Sequence, residues 1–183
     1  MAYRNGTYVA FHANGTTEPT ESDMKYYRLL VAWNVRDDQT FEFVNSHEKT
    51  SAVRDSSRRE TLRRSLVTRL NNSKNMILII GETTREDTDW VPFEVAYAID
   101  ECGIPIIAAY TGYEWVLDPG GLSHLWPDVL RARINAGTAG VIHVPFKQLP
   151  LTAAVKQFSH NNLPTSGHTH YTEETYRRWG IIR

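Results

Sequence analysis

The sequence predicts an α/β domain in which helices cover both faces of a doubly wound parallel sheet of about five strands. Two observations support this prediction. Apolar strand-like runs alternate along the chain with helical patterns, as is typical of parallel sheets. The run Met76–Ile80 is apolar at every position, as expected of a strand that is buried on both faces. A chain of 183 residues is long enough for one such domain with a small appendage.

Before this central run, the chain contains two predicted strands and two predicted helices. Aromatic and β-branched residues indicate a strand over 7–11, and a weaker alternation indicates another over 41–44. Apolar residues at helical spacing predict a helix from Asp23 to about Trp33. A second helix is predicted from Ser57, where the capping-box pattern SRRE precedes leucines spaced four residues apart.

After the central run, helices and strands continue to alternate. The predicted elements are a helix over 90–102 capped by Asp89, a strand over 104–109, a short helix over 126–134, a strand over 141–144 and a helix over 150–161. Few aliphatic residues follow. We therefore expect one domain over 1–161 and a C-terminal tail over 162–183, with a helical stretch from 173 to 179.

Composition disfavours several classes of protein. The formal net charge of −1 argues against bulk electrostatic binding to nucleic acid. The single cysteine, Cys102, excludes an internal disulfide framework and a cysteine-based zinc site. No apolar stretch of about 18 residues is present, so we expect no membrane helix, and no signal peptide is apparent. These features predict a cytoplasmic protein without membrane or nucleic-acid partners.

Ligands of open α/β sheets bind beyond the carboxyl ends of the strands. Polar or aromatic side chains follow four predicted strands at that edge and are the candidate binding residues: Phe11, His12, Asn14, Ser46, His47, Thr83 and Tyr113. The glycine-rich loops of dehydrogenases and P-loop ATPases are absent from the sequence, as is the Gly-x-Ser-x-Gly turn of α/β hydrolases.

Glu94 is the candidate catalytic residue. We expect it in the first turn of the helix after the central strand, where the helix dipole favours an ionised carboxylate. Trp90 lies four residues earlier on the same helix face. A carboxylate beside a large aromatic ring suits a ligand that has a flat ring and develops positive charge. The alternative is that Glu94 only offsets the helix dipole.

Five segments together resemble the TIR-like proteins of bacterial Thoeris anti-phage systems, the ThsB-like family. They are YVAFH at 8–12, YYRLL at 26–30, FVNSH at 43–47, ILIIG at 77–81 and WVPFE at 90–94. The resemblance covers about Thr7 to Ala109, and the Trp-Val-x-aromatic-Glu turn, with Pro92 at the variable position, is its most specific part.

The resemblance implies a flavodoxin-like TIR fold and cleavage of the bond between nicotinamide and ribose in NAD. It implies that Glu94 is catalytic and that Phe11 and His12 match the family's Phe-His after the first strand. On this interpretation Trp90, Phe11 or Tyr113 stacks on a ring of the dinucleotide. Ribose or phosphate oxygens would then be held by His12, which follows the first predicted strand, and by Ser46 and His47, which follow the second.

The same resemblance implies partners. NAD is the substrate, and we expect no cofactor and no metal. The product would be a cyclic or conjugated ADP-ribose messenger that activates a separate, ThsA-like effector, and TIR surfaces would mediate self-association. Cyclisation needs a closed and fairly dry pocket. The aromatic loop 110–126 is the hypothetical lid, and trimming it should raise free ADP-ribose relative to cyclic product.

Two other functions remain open from the sequence. A nucleoside 2-deoxyribosyltransferase-like enzyme would cut the same kind of N-glycosidic bond in a smaller substrate, and Glu94–Ala98 followed by Gly103–Pro105 is similar to that pattern. A non-enzymatic TIR assembly module is the second alternative. It predicts that Glu94→Gln leaves function intact in cells.

Overall fold

The computed structural model describes residues 4–12, 23–36, 43–44 and 56–183. Across these ranges, six strands form one parallel sheet in the order β2-β1-β3-β4-β5-β6. The strands are β1 Gly6–Ala10, β2 Phe43–Val44, β3 Ser73–Ile80, β4 Ile106–Tyr110, β5 Val141–Pro145 and β6 Thr169–His170. The predicted fold class is confirmed, and the sixth strand is an addition of two residues at the edge of the sheet.

Helices follow the strands in the predicted alternation. They are α1 Met24–Arg36, α2 Ser56–Asn71, α3 Trp90–Asp100, α4 Asp128–Asn135, α5 Gln148–Gln157 and α6 Glu173–Arg178, with 3-10 turns at Thr84–Glu86 and Gly120–Leu125. Helix α3 ends two residues before the predicted end, and the chain then turns at Gly103, whose φ of 61° favours glycine. None of the helices in the described ranges is both long and apolar enough to cross a membrane.

Two apolar layers sandwich the sheet. Helices α2, α3 and α4 pack on one face, which we call the α3 face, and α1 and α5 pack on the other, the α1 face. Side chains of β3 alternate between them, since Leu78 points to the α3 face and Ile77 to the α1 face. Met76–Ile80 is fully buried, which confirms the prediction from its unbroken apolar run.

Parallel pairing brings the carboxyl ends of three strands together. Ala10 of β1 pairs with Leu78 of β3, and Ile80 of β3 pairs with Tyr110 of β4. The turns that follow these strands therefore share one edge of the sheet, where ligands of such folds bind.

The C-terminal segment packs on this sheet. Strand β6 pairs with β5, and the imidazole Nε2 of His143 in β5 lies 2.8 Å from the Gly167 carbonyl oxygen. Tyr176 of α6 is fully buried. Helix α6 lies within the predicted helical stretch, and the division of the chain at residue 161 stays a prediction.

Candidate active site

Glu94 lies inside the α3 face of the domain and meets a tyrosine of the first strand. Its side chain is 1% exposed, and the Tyr8 hydroxyl donates a hydrogen bond of 2.5 Å to Glu94 Oε1. The second carboxyl oxygen, Oε2, is buried and has no hydrogen-bond partner among the described residues. A buried polar atom without a partner costs free energy, so this site is not optimised for stability.

Burial controls the ionisation of this carboxyl. Removal from water raises the pKa of Glu94 to about 8, while the hydrogen bond from Tyr8 lowers that pKa and the negative charge of Asp87 raises it. The carboxyl is therefore mostly protonated at neutral pH in this conformation. A partly hydrated Glu94 would ionise more readily, because desolvation is the largest cause of the raised pKa.

Glu94 lies later in its helix than the sequence predicts. Glu94 is the fifth residue of α3 and lies beyond the first turn, so the free N–H groups at the helix start do not stabilise its charge. Asp87 Oδ1 instead accepts hydrogen bonds from the N–H groups of Asp89 and Trp90, at 2.8 and 3.0 Å. The predicted cap, Asp89, makes no side-chain capping bond and pairs with Arg59.

Trp90 borders a surface groove between α2 and α3. The groove encloses about 300 Å³ and is lined by charged and aromatic side chains, namely Arg59, Glu60, Arg63, Asp89, Trp90 and Phe93. The Arg59 guanidinium lies 5.3 Å from the Trp90 ring centroid, and the Arg63 guanidinium lies 4.8 Å from that of Phe93. Cations therefore cover both rings in this conformation.

A second polar cluster lies where β1 and β3 end. His12 Nδ1 is 3.4 Å from Thr83 Oγ1, so two predicted binding residues are neighbours. Thr84 Oγ1 accepts a 2.8 Å hydrogen bond from the Gly81 N–H and donates one of 3.2 Å to Asp23 Oδ2. A Cβ atom on Gly81 would lie 2.9 Å from Asp23 Oδ1, so this close approach requires glycine.

Of the remaining predicted binding residues, Phe11 lies on the other face of the sheet, Tyr113 packs on the α3 face, and the rest fall outside the described ranges. Phe11 is 1% exposed on the α1 face, opposite Glu94, and stacks on Tyr27 with ring centroids 5.4 Å apart. Tyr113 is half-buried and meets the ring of Tyr110 edge-on at 6.0 Å. Asn14, Ser46 and His47 lie outside the residues that the structure describes.

Sequence reasoning missed three residues that shape these two clusters: Tyr8, Asp23 and Thr84. In the sequence, Tyr8 belongs to a strand pattern and Asp23 stands at the start of a predicted helix. Alternation along β1 puts Tyr8 on the same face as Ala10, but which helix residue it meets depends on packing. Two consecutive threonines, Thr83 and Thr84, in the turn that follows Gly81 are the available signal for Thr84.

The strand order defines a flavodoxin-like, doubly wound α/β domain, and α3 contributes a buried glutamate to it. A comparison with known families agrees. Residues 8–114, more than half of the chain, match the family described as Thoeris protein ThsB, TIR-like domain. The chain therefore belongs to the ThsB TIR-like family. The matched region contains the Glu94–Tyr8 pair and the His12–Thr83 cluster.

Proposed function

We propose that the protein cleaves the nicotinamide–ribose bond of NAD and converts the ADP-ribose unit into a messenger in anti-phage defence. The observation that carries this proposal is the Glu94 carboxyl, which is buried in a domain of the Thoeris TIR-like family and has one oxygen without a partner among the described residues. Such an atom is costly for the fold, and a functional requirement is the physical reason for keeping it.

A single carboxylate is enough for this reaction. Cationic nicotinamide departs as a neutral molecule, so the leaving group needs no general acid. The electron pair of the glycosidic bond leaves with nicotinamide, and the ribosyl carbon becomes oxocarbenium-like. An ionised Glu94 close to that carbon would stabilise the positive charge, as carboxylates do in glycoside hydrolysis.

The burial of Glu94 defines a resting state. With the carboxyl 1% exposed and its pKa raised to about 8, substrate cannot reach Glu94 unless neighbouring groups move. Movement that admits substrate and water also lowers the desolvation cost, so the carboxyl loses its proton to solvent. Opening and ionisation are thus coupled, and a signal or self-association that opens the site would activate the enzyme.

The polar cluster at the ends of β1 and β3 supports a substrate with ribose and phosphate groups. His12 and Thr83 offer hydrogen-bonding groups at the sheet edge. The product would act on a separate effector in the same cell, with the small molecule as the link between the two proteins.

The test is mass spectrometry of nucleotides from cells that express the protein during phage challenge. Wild type should lose NAD or accumulate a new ADP-ribose species, and Glu94→Gln should do neither. Glu101→Gln is the matched control, because Glu101 follows the same helix and is exposed. Identical nucleotide profiles for wild type and Glu94→Gln would refute the proposal.

A non-enzymatic assembly module is a second candidate, because the same burial that defines a resting state also closes Glu94 from solvent. In that case Glu94→Gln would protect cells from phage as well as wild type does.

The transferase alternative is tested by adding NAD and, separately, deoxynucleosides to purified protein. An enzyme of that class would exchange bases on deoxynucleosides and leave NAD intact.

A further inference from the structure

The hydroxyl of Tyr8 is the one hydrogen-bonding group that the described structure shows on the Glu94 carboxyl. It donates from the middle of β1 to Oε1 at 2.5 Å, across 86 positions of sequence. Tyr8 is fully buried, and its ring packs in the core of the α3 face. An aromatic side chain has few rotatable bonds, so the hydroxyl is held in place at low entropic cost.

We propose that Tyr8 is a positioning residue for Glu94, which holds Oε1 and leaves Oε2 as the oxygen that faces the ribosyl carbon. This inference rests on the proposed NAD cleavage. Because Tyr8 has a single hydroxyl proton, it can hold one carboxyl oxygen and no more. Once Glu94 ionises, the other oxygen keeps its lone pairs for a developing positive charge, and Oε2 has no hydrogen-bond partner among the described residues that would compete for them.

The hydrogen bond has a second consequence for ionisation. Donation from a hydroxyl stabilises the carboxylate more than the neutral acid, so it lowers the pKa of Glu94 against the effect of burial. The other titratable group that acts on Glu94 is Asp87, from the turn before α3, whose charge raises the pKa. Helix α2 packs on α3 and brings Arg59 and Arg63, which lie over aromatic rings of α3.

A merely structural tyrosine and a positioning tyrosine differ in what their loss does to Glu94. Tyr8→Phe keeps the ring and removes the hydroxyl. We expect the midpoint of the Glu94 titration to rise by on the order of one pH unit. The titration is followed by ¹³C NMR of labelled carboxyl groups, and the Glu94 signal is assigned as the one that is missing in Glu94→Gln. The rising limb of the kcat–pH profile for NAD cleavage should move in the same direction.

Tyr176→Phe is the matched control. Tyr176 is also fully buried, but its hydroxyl meets the Val116 carbonyl oxygen at 3.5 Å and not the Glu94 carboxyl. This variant should leave the Glu94 titration where it is. If Tyr8→Phe does not fold, fluorotyrosine at position 8 keeps the shape and makes the hydroxyl a stronger donor, so the Glu94 midpoint should fall.

The outcomes separate the two proposals. A Tyr8→Phe protein with unchanged Glu94 midpoint and unchanged kcat–pH profile, or a fluorotyrosine protein with an unchanged midpoint, would overturn the role of Tyr8 even if NAD is cleaved. If Tyr8→Phe shifts the Glu94 midpoint but the activated wild-type protein never cleaves NAD, the proposed function is wrong. The catalytic part of this inference is then wrong as well. Shifts in both the Glu94 midpoint and the kcat–pH profile support the positioning role of Tyr8.

Discussion

Tyr8 and Tyr110 lie on the same face of the sheet and are both fully buried, but their hydroxyl groups have different surroundings. Tyr8 donates to a carboxyl whose second oxygen has no partner in the described structure. Tyr110 is the centre of a chain in which the Trp126 indole N–H donates to its oxygen at 2.6 Å and the Tyr110 hydroxyl is 2.7 Å from His143 Nδ1.

The proton positions in the Tyr110 chain follow from its ends. The Gly167 carbonyl can only accept, so His143 Nε2 carries a hydrogen and Nδ1 accepts from Tyr110. Burial is the largest cause that lowers the pKa of His143, to about 4, which keeps the ring neutral as this pattern requires. The Tyr110 chain satisfies its polar groups and joins four segments, whereas the Glu94 pair leaves one oxygen without a partner in the described part of the chain. The difference fits a structural role for the Tyr110 chain and the catalytic role that we propose for Glu94.

The largest expected effect concerns Glu94 itself. Replacing Glu94 by Gln removes the charge that stabilises the ribosyl cation, so kcat for NAD cleavage should fall by roughly 10²–10³-fold. Steady-state turnover of the activated protein measures this loss. Equal turnover in wild type and variant would place Glu94 in the same structural class as the Tyr110 chain.

The stability of the same variant relative to wild type should rise with pH. The unfolded Glu94 carboxyl ionises near its ordinary pKa of 4.5, and the folded one at about 8. Between these values the unfolded state has lost a proton that the folded state keeps, so the wild-type free energy of unfolding falls by about 1.4 kcal/mol per pH unit relative to Glu94→Gln. Urea unfolding at pH 5.5 and 7.5 tests this, and a constant difference between the two proteins would contradict it.

His143 should make the protein sensitive to acid. The ordinary pKa of histidine is 6.5, and the folded value is about 4. Below pH 6.5 the His143 imidazole binds a proton in the unfolded state but not in the folded state. The free energy of unfolding should therefore fall by about 1.4 kcal/mol per pH unit towards pH 4. His143→Asn should lack this contribution. Parallel stability–pH curves for the two proteins over that range would show that His143 is not held neutral.

Removing each hydroxyl tests the comparison directly. Tyr110→Phe leaves His143 Nδ1 and the Trp126 N–H without partners, and should cost about 1–3 kcal/mol of unfolding free energy. Tyr8→Phe breaks one bond to a carboxyl that is already half unpartnered, and should cost about 0.5–1.5 kcal/mol at pH 6. Chemical denaturation at pH 6 measures both, and a larger loss for Tyr8→Phe would reverse the assignment of roles.

The sequence predicted the fold well because the strands are local patterns. The apolar run of β3 and the alternation of helices with strands need no knowledge of distant contacts. The motif at 90–94 also made Glu94 the candidate catalytic residue, and that role stays a prediction. Its ionisation was predicted wrongly, since burial is decided by packing and Glu94 is the fifth residue of α3.

Pairings between distant residues were the part that sequence could not supply. The partners Tyr8 and Glu94 are 86 positions apart, and Tyr110 and His143 are 33 apart. Neither pair has a spacing that a helix or strand period would reveal. The buried tyrosines of β1 and β4 therefore looked alike in the sequence, and only the packed structure distinguishes their roles.

The smallest expected effect comes from a third buried tyrosine, Tyr176 in α6. It is as buried as Tyr8 and Tyr110, but its hydroxyl meets the Val116 carbonyl oxygen at 3.5 Å, the outer limit of a hydrogen bond. Tyr176→Phe should therefore cost no more than about 0.5 kcal/mol in urea unfolding. A loss as large as that of Tyr110→Phe would mean that the burial these tyrosines share, and not the number of partners that the hydroxyl satisfies, sets the energetic cost of removing the hydroxyl.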